Sequence, residues 1–449
     1  MDDGVLGAEA LRAFRESFAA DPASRMAQNA VTRASIEQVA LVRDKVSSTG
    51  HTFSTLLDDW KVTNQRQSGR CWLFAGLNLL RVPAMKKMGL KNFEFSQNYA
   101  MFWDKIERAN YALEALIATC DRDLDDRTVA YLLDSLADDG GQWNMFVALI
   151  RKHGLVPKEV MPETESSSNT KRMNEVLRTL LRQGARAVRG AGLRSRAEAR
   201  AEKEAVLGTI YRVLCIHLGT PPDRFLWQWT DKDRNFHRDG ELTPTEFAAR
   251  YIDLPLDDYV CLVNDPRPTS ALGRTFTVEY LGNVVGAPPV RYLNVEVSLM
   301  KEITSHQLLA GEPVWFGCDV GQMMSTEYGI WDADLYALSA LYGVDFTLAK
   351  GERLLYHESA MTHAMLFTGV DIVDGVPRRW RVENSWGADK GRKGFYAMND
   401  SWFDEYVFEI AAPRKSLPAH LQQALQLEPI ILPAWDPMGA LARGNSPQR

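Results

Sequence analysis

Cysteine is scarce in this chain: five residues in 449. Cys71, Cys120, Cys215, Cys261 and Cys318 are odd in number, widely scattered and never arranged as CxxC. That spacing argues against a disulfide framework and against a cysteine-based zinc site, and it suits a reducing compartment. No metal and no cofactor is expected. No uninterrupted apolar stretch approaches the roughly 20 residues that span a bilayer, so no membrane contact is expected. A basic excess is lacking too. The formal net charge is -6, and nucleic acid is not expected as a partner. Met1-Asp2-Asp3-Gly4 offers neither a basic nor an apolar leader segment, so no secretory signal is expected and the expected location is cytoplasmic.

What is present is ordinary globular composition, 45% hydrophobic and 24% charged, enough for one large or two medium cores. The first half reads as helix. Residues 6–46 have helical spacing, broken at Asp21-Pro22-Ala23-Ser24. A run apolar nearly all round, Cys71 to Leu80, marks a buried central helix that Pro83 should kink or end. Ser96 to Ala118 is a further helix. Residues 164–172 read as an exposed loop. Residues 172–215 form helix, and the basic block from Arg182 to Arg200 reads as a solvated face. After about residue 270 the pattern alternates as strands do, in Thr275–Leu281, Tyr292–Val297, Pro313–Cys318 and Gly394–Met398. Ala364–Val373 and Arg378–Glu383 flank Asp374-Gly375, a hairpin signal. Helices first and antiparallel strands later predict an α+β fold.

The chemistry concentrates in three short stretches. In Gln65-Arg66-Gln67-Ser68-Gly69-Arg70-Cys71-Trp72 an amide donor precedes a thiol that opens a helix. The positive end of the helix dipole favours a thiolate there, although a lone cysteine is as often a small buried hydrophobe. Gln65 would donate to an oxyanion together with the Cys71 backbone N–H, or it could be a solvated loop residue. Thr362-His363-Ala364 places an imidazole at the start of an apolar strand, where it could pair with the thiol and protonate a leaving amine, or be a satisfied core histidine. His357, six residues earlier, competes for that role. In Glu383-Asn384-Ser385-Trp386-Gly387, Asn384 would orient the imidazole and Trp386 would shield that bond from water.

With these motifs the chain resembles the papain superfamily and, within it, the bleomycin hydrolase or aminopeptidase C family. Asp139-Gly140-Gly141-Gln142-Trp143, Phe102-Trp103-Asp104-Lys105, Met361-Thr362-His363-Ala364-Met365 and Trp435-Asp436-Pro437-Met438-Gly439-Ala440 carry the likeness over roughly residues 20–442. The resemblance implies a papain-like fold: a helical half, an antiparallel β-barrel half and a large helical insertion. His363 lies 363 − 71 = 292 residues beyond Cys71, against about 130–150 in secreted relatives, which demands such an insertion. The expected divisions are an N-terminal extension over 1–60, the nucleophile half over 61–160, the insertion over 161–265, the barrel half over 266–415 and a tail over 416–449 that enters the cleft.

The same resemblance implies a cysteine aminopeptidase acting on peptide substrates as a homohexamer whose sites face an internal chamber. Gly140 and Gly141 would line the cleft, and Ala442 would stand where a terminal carboxylate meets the substrate amine. Seven residues follow Ala442, so either they are trimmed or the tail blocks the cleft sterically. An endopeptidase or amide hydrolase with the same triad, needing no free amine, is the alternative.

Overall fold

The structure is a computed structural model that describes residues 4–57 and 60–443. The expected tail residues 444–449 lie outside the described part. One twelve-stranded sheet and a helical half pack against each other. The architecture is α+β.

Between the two halves runs the helix Cys71–Met88. Its first ten residues are all buried. Pro83 does not end it: the helix continues for another turn and stops at Gly89, whose left-handed backbone caps it. The break at residue 21 is a cap. The Asp21 carboxylate accepts from the N–H groups of Ala23 and Ser24, and Pro22 opens the next helix.

In the sheet the order runs from Ile430–Leu432 through Thr275–Val278, Tyr292–Asn294, Tyr259–Val263, Val407–Pro413 and Val314–Cys318 to His363–Val373. It continues through Val376–Glu383, Phe395–Asn399 and Ile330–Trp331 to Met324–Ser325. The expected purely antiparallel barrel is corrected to a mixed sheet. Three strand pairs run parallel, among them Tyr259–Val263 with Tyr292–Asn294. Those pairs are joined through long excursions rather than tight turns, and long connections permit either direction. The hairpin is as expected: Asp374 and Gly375 both have positive φ, 51° and 80°, and the strands on either side pair directly.

Residues 161–265 depart from a purely helical insertion. Helices Lys171–Gly192 and Arg196–Leu218 lie antiparallel and pack on Gln97–Ala118. A two-stranded ribbon, Phe225–Thr230 with Phe236–Leu242, follows them. Phe225 and Trp227 point inward from it and stack edge-on to Phe247. Tyr259–Val263 then joins the large sheet. The stretch 164–172 is not a plain exposed loop. Thr164 caps the short helix Glu165–Ser168, and Ser167 and Thr170 are buried. Within the basic block, Arg189 is buried and donates to the Thr119 and Arg122 carbonyls, fastening the insertion to the core.

Candidate active site

Each candidate residue reaches the seam by a local rule. Cys71 is the first residue of its helix, so its thiol sits where backbone N–H groups lack intrahelical partners. The thiol is held at the N–H groups of Ala364, Trp72 and Cys71 itself. Ala364 is the neighbour of His363, so this bond brings the nucleophile helix to the first residues of the His363 strand. His363 opens one strand of the hairpin and Asn384 follows the last residue of the other, with Leu366 opposite Glu383. The antiparallel return brings the two to one end of the sheet. His363 Nε2 meets Asn384 Oδ1 at 3.0 Å. Trp386 covers the imidazole, ring centroids 5.1 Å apart. His363 Nδ1 is buried without a partner.

Gln65 is buried in the same seam. Its N–H donates to the Ser385 carbonyl at 2.8 Å and its Oε1 accepts from the Ser385 hydroxyl at 2.6 Å. Nε2 donates one hydrogen to the Ser68 carbonyl at 2.6 Å, leaving its second free. Gln65 and Asn384 are thereby joined through one residue, Ser385, whose N–H also donates to Asn384 Oδ1 at 2.7 Å.

Burial drives both reactive groups towards their neutral forms. It pushes the Cys71 thiol up to about 11 against the three N–H bonds that favour the thiolate. It pushes the His363 imidazole down to about 4, with the Asn384 bond opposing.

A cavity of about 920 Å³ opens beside these groups. His363, Trp386, Gln65, Gly69 and Asp139 line it, and Arg443 stands on its wall. Cys71 is 2% exposed and lies beneath that surface. Gly140 and Gly141 are buried and are not among the described lining residues; Asp138 and Asp139 stand there instead. Gly141 has a packing reason to be glycine, since a Cβ would lie 2.5 Å from the Trp72 ring. Gly387 has another: its φ is +82° and a Cβ would meet Asn64 Nδ2 at 2.5 Å. Ala442 is buried at a smaller adjoining cavity that it shares with Asp138 and Arg443. The tail is pinned there. Arg267 bridges Asp265 and Asp436, and the Met438 carbonyl accepts from Tyr292 Oη at 3.1 Å. His357 is exposed on a turn with φ of 61°, away from this cavity.

Two supporting groups had no recognised role in the sequence. Asp139 is a buried hub. Its carboxylate accepts from Lys105 Nζ at 2.6 Å, Asn174 Nδ2 at 2.8 Å, the Gly69 N–H at 3.1 Å and the Thr170 hydroxyl, while its carbonyl accepts from Trp72 Nε1 at 2.7 Å. Burial alone would raise its pKa, but Lys105 and the hydrogen bonds hold it well below the usual carboxylate range. Glu383 accepts from Trp60 Nε1 at 2.6 Å, Asn78 Nδ2 at 2.9 Å and Arg81, fastening the Cys71 helix to the residue before Asn384. Lys105 lies 34 positions before Asp139 and Arg81 lies 302 before Glu383; no local pattern announces such pairs. Among the described residues no cluster of His, Cys, Asp and Glu is grouped to hold a metal, and no helix is long and apolar enough to cross a membrane.

Residues 5–439 match the model of the Peptidase C1-like family. The chain is 41% identical to bleomycin hydrolase of Homo sapiens, over 98% of this chain and 100% of that one. It is 42% identical to aminopeptidase C of Listeria innocua serovar 6a, over 96% and 94%. The crystal structure of PepW from Lactobacillus rhamnosis HN001 superposes with a TM-score of 0.95 at 44% identity, covering 97% of this chain and 99% of that one.

Proposed function

Since the chain belongs to the Peptidase C1-like family, with its papain-like α+β fold, we propose that it is a cysteine aminopeptidase that removes N-terminal residues from peptides through a thioester on Cys71. The observation that carries this reading is the convergence of Cys71, His363, Asn384 and Gln65 on one seam beside an open cavity. His363 Nδ1 takes the thiol proton as Sγ attacks the carbonyl carbon, then gives it to the leaving amine. Asn384 fixes the ring, and Trp386 keeps water from that bond. The free N–H of Gln65 Nε2 and the Cys71 N–H meet the oxyanion, each such donor contributing about 3 kcal/mol to transition-state stabilisation. Water then cleaves the thioester.

The substrate backbone pairs near Gly140 and Gly141, and the tail at Ala442 closes the non-primed side. The chain divides at 1–60, 61–160, 161–265, 266–415 and 416–449, with the ribbon and the strand Tyr259–Val263 inside the third. The assembly is a homohexamer in the cytoplasm. Its support is exposed apolar surface on the N-terminal helices (Leu11, Phe14, Phe18, Met26) and the insertion (Leu193, Ile216). Light scattering behind size exclusion tests it; a monomer would reject it.

One observation favours a second reading. Chain follows Ala442, so a carboxylate does not stand there unless residues are removed. An untrimmed tail gives an endopeptidase or an amide hydrolase of the bleomycin type. The test is one aminoacyl fluorogenic amide with its amine free and acetylated, with Cys71→Ala as blank and the intact mass recorded alongside. Turnover of the free amine alone supports the aminopeptidase; equal turnover of both rejects it in favour of the second reading.

A further inference from the structure

A second cavity, of about 380 Å³, shares no lining residue with the cleft of His363. It opens where the helix Trp143–His153 faces segments of the sheet half. Arg151, Arg291 and Arg414 line it, with Asp257, Trp143 and Tyr259. Arg151 pairs with Asp257. Arg291 Nη1 donates to the Leu425 carbonyl at 2.7 Å and has its other donors free. The Arg414 guanidinium makes no hydrogen bond or ion pair among the described residues, and its Nε is shut away from solvent without a partner. Trp143 is wholly buried, and its Nε1–H is also unpaired.

Among the lining residues three guanidiniums face one carboxylate, so the cavity wall carries an excess of positive charge. Orphaned donors in a walled cavity cost free energy until an acceptor arrives. Part of the wall is apolar and open: Pro288, Pro289 and Leu256 stand on it, over the buried rings of Trp143 and Tyr259. The volume falls within the range of small-ligand sites. Inorganic anions would use the charge but leave that apolar wall uncovered.

We propose that this cavity binds a small organic carboxylate with an apolar body, the carboxylate on Arg414 and Arg291 and the body against Pro288, Pro289 and Leu256. Planar guanidinium suits that recognition, because its paired N–H groups match two carboxylate oxygens.

Calorimetric titration of the full chain with phenylacetate tests it, with phenylacetamide and inorganic phosphate as the other probes. The expected result is one carboxylate per chain, with the amide and the phosphate each at least about tenfold weaker. Arg414→Gln should weaken phenylacetate by about tenfold and leave the melting temperature unchanged, since the guanidinium bonds to nothing else among the described residues. If the melting temperature does move, Arg291→Gln takes its place. Alkylation of Cys71 should leave binding intact. No heat up to about 10 mM, phosphate binding as tightly as phenylacetate, or binding that survives both substitutions would overturn the proposal, as would binding lost on alkylation of Cys71.

Discussion

The two sides of the seam are held in different ways. On the nucleophile side, ionised groups lock the loop before Cys71. Asp139 binds Lys105 and the Gly69 N–H, and Arg70 binds Glu163 through two bonds of 3.0 and 2.7 Å. On the histidine side, apart from the Glu383–Arg81 pair, strand pairing and ring packing do the holding, and polar atoms go unpaired: His363 Nδ1, Asn384 Nδ2 and both oxygens of Glu409. The loop that leads into the nucleophile has no ladder to fix it, so charge supplies the rigidity. A residue at a strand end is fixed by the ladder and can keep an atom free for chemistry.

The sharpest way to break this contrast is at the reactive atoms. Cys71→Ser should lower kcat by about 10⁴-fold or more with the fold intact, measured by amide hydrolysis and a thermal melt. Asp139→Asn strikes the charged scaffold. It strands the Lys105 ammonium, which keeps only the Ala137 and Asp138 carbonyls, and should cost about 3–5 kcal/mol in denaturant unfolding. If it costs under about 1 kcal/mol, the nucleophile side is not held by charge as described.

Glu409 tests the other side. It is fully buried opposite Gly317, and burial pushes its carboxyl up to about 8, slightly opposed by Cys261 beside it. Unfolded, such a group ionises near its ordinary 4.5. Between those values the unfolded chain has lost a proton that the folded one keeps, so rising pH removes stability across that window. Glu409→Gln abolishes the effect. Its stability relative to the parent should improve by roughly 3 kcal/mol between pH 4.5 and pH 7, read by urea denaturation at both. A pH-independent difference would mean the carboxyl is ionised in the fold. Asn384→Ala should reduce kcat by roughly 10²-fold with little change in KM or melting temperature, because it loosens the ring and leaves the strands paired. The smallest effect belongs to His357→Ala, exposed and remote: activity unchanged and stability within about 0.5 kcal/mol.

Much of the site was legible from residues near each other in sequence. Cys71 heading an apolar run announced its helix, and Asp374-Gly375 announced the hairpin that carries His363 and Asn384 to one end. The ribbon was missed although Phe225, Trp227 and Trp229 alternate as strand residues do, because the preceding 45 residues argue so firmly for helix. The short helix at Glu165 was missed although Thr164 and Ser167 stand at capping spacing. Pro83 is expected to kink or end its helix. It carries no N–H to donate, but Ala84, Met85 and Met88 beyond it are buried, and that packing carries the helix through to Met88.

The sequence by itself determined what depends on neighbours in the chain: the periodicities, the caps, the turn and the identities of the groups that can carry acyl transfer. The tertiary structure alone decided which histidine meets Asn384, that Asp139 and Glu383 would be the clamps, and that strands would pair in parallel as well as antiparallel. The reason is the range of the forces. Helix and turn propensities act over a few residues, whereas a buried carboxylate takes its partner from whichever segment the closed core brings within about 3 Å, at any separation along the chain.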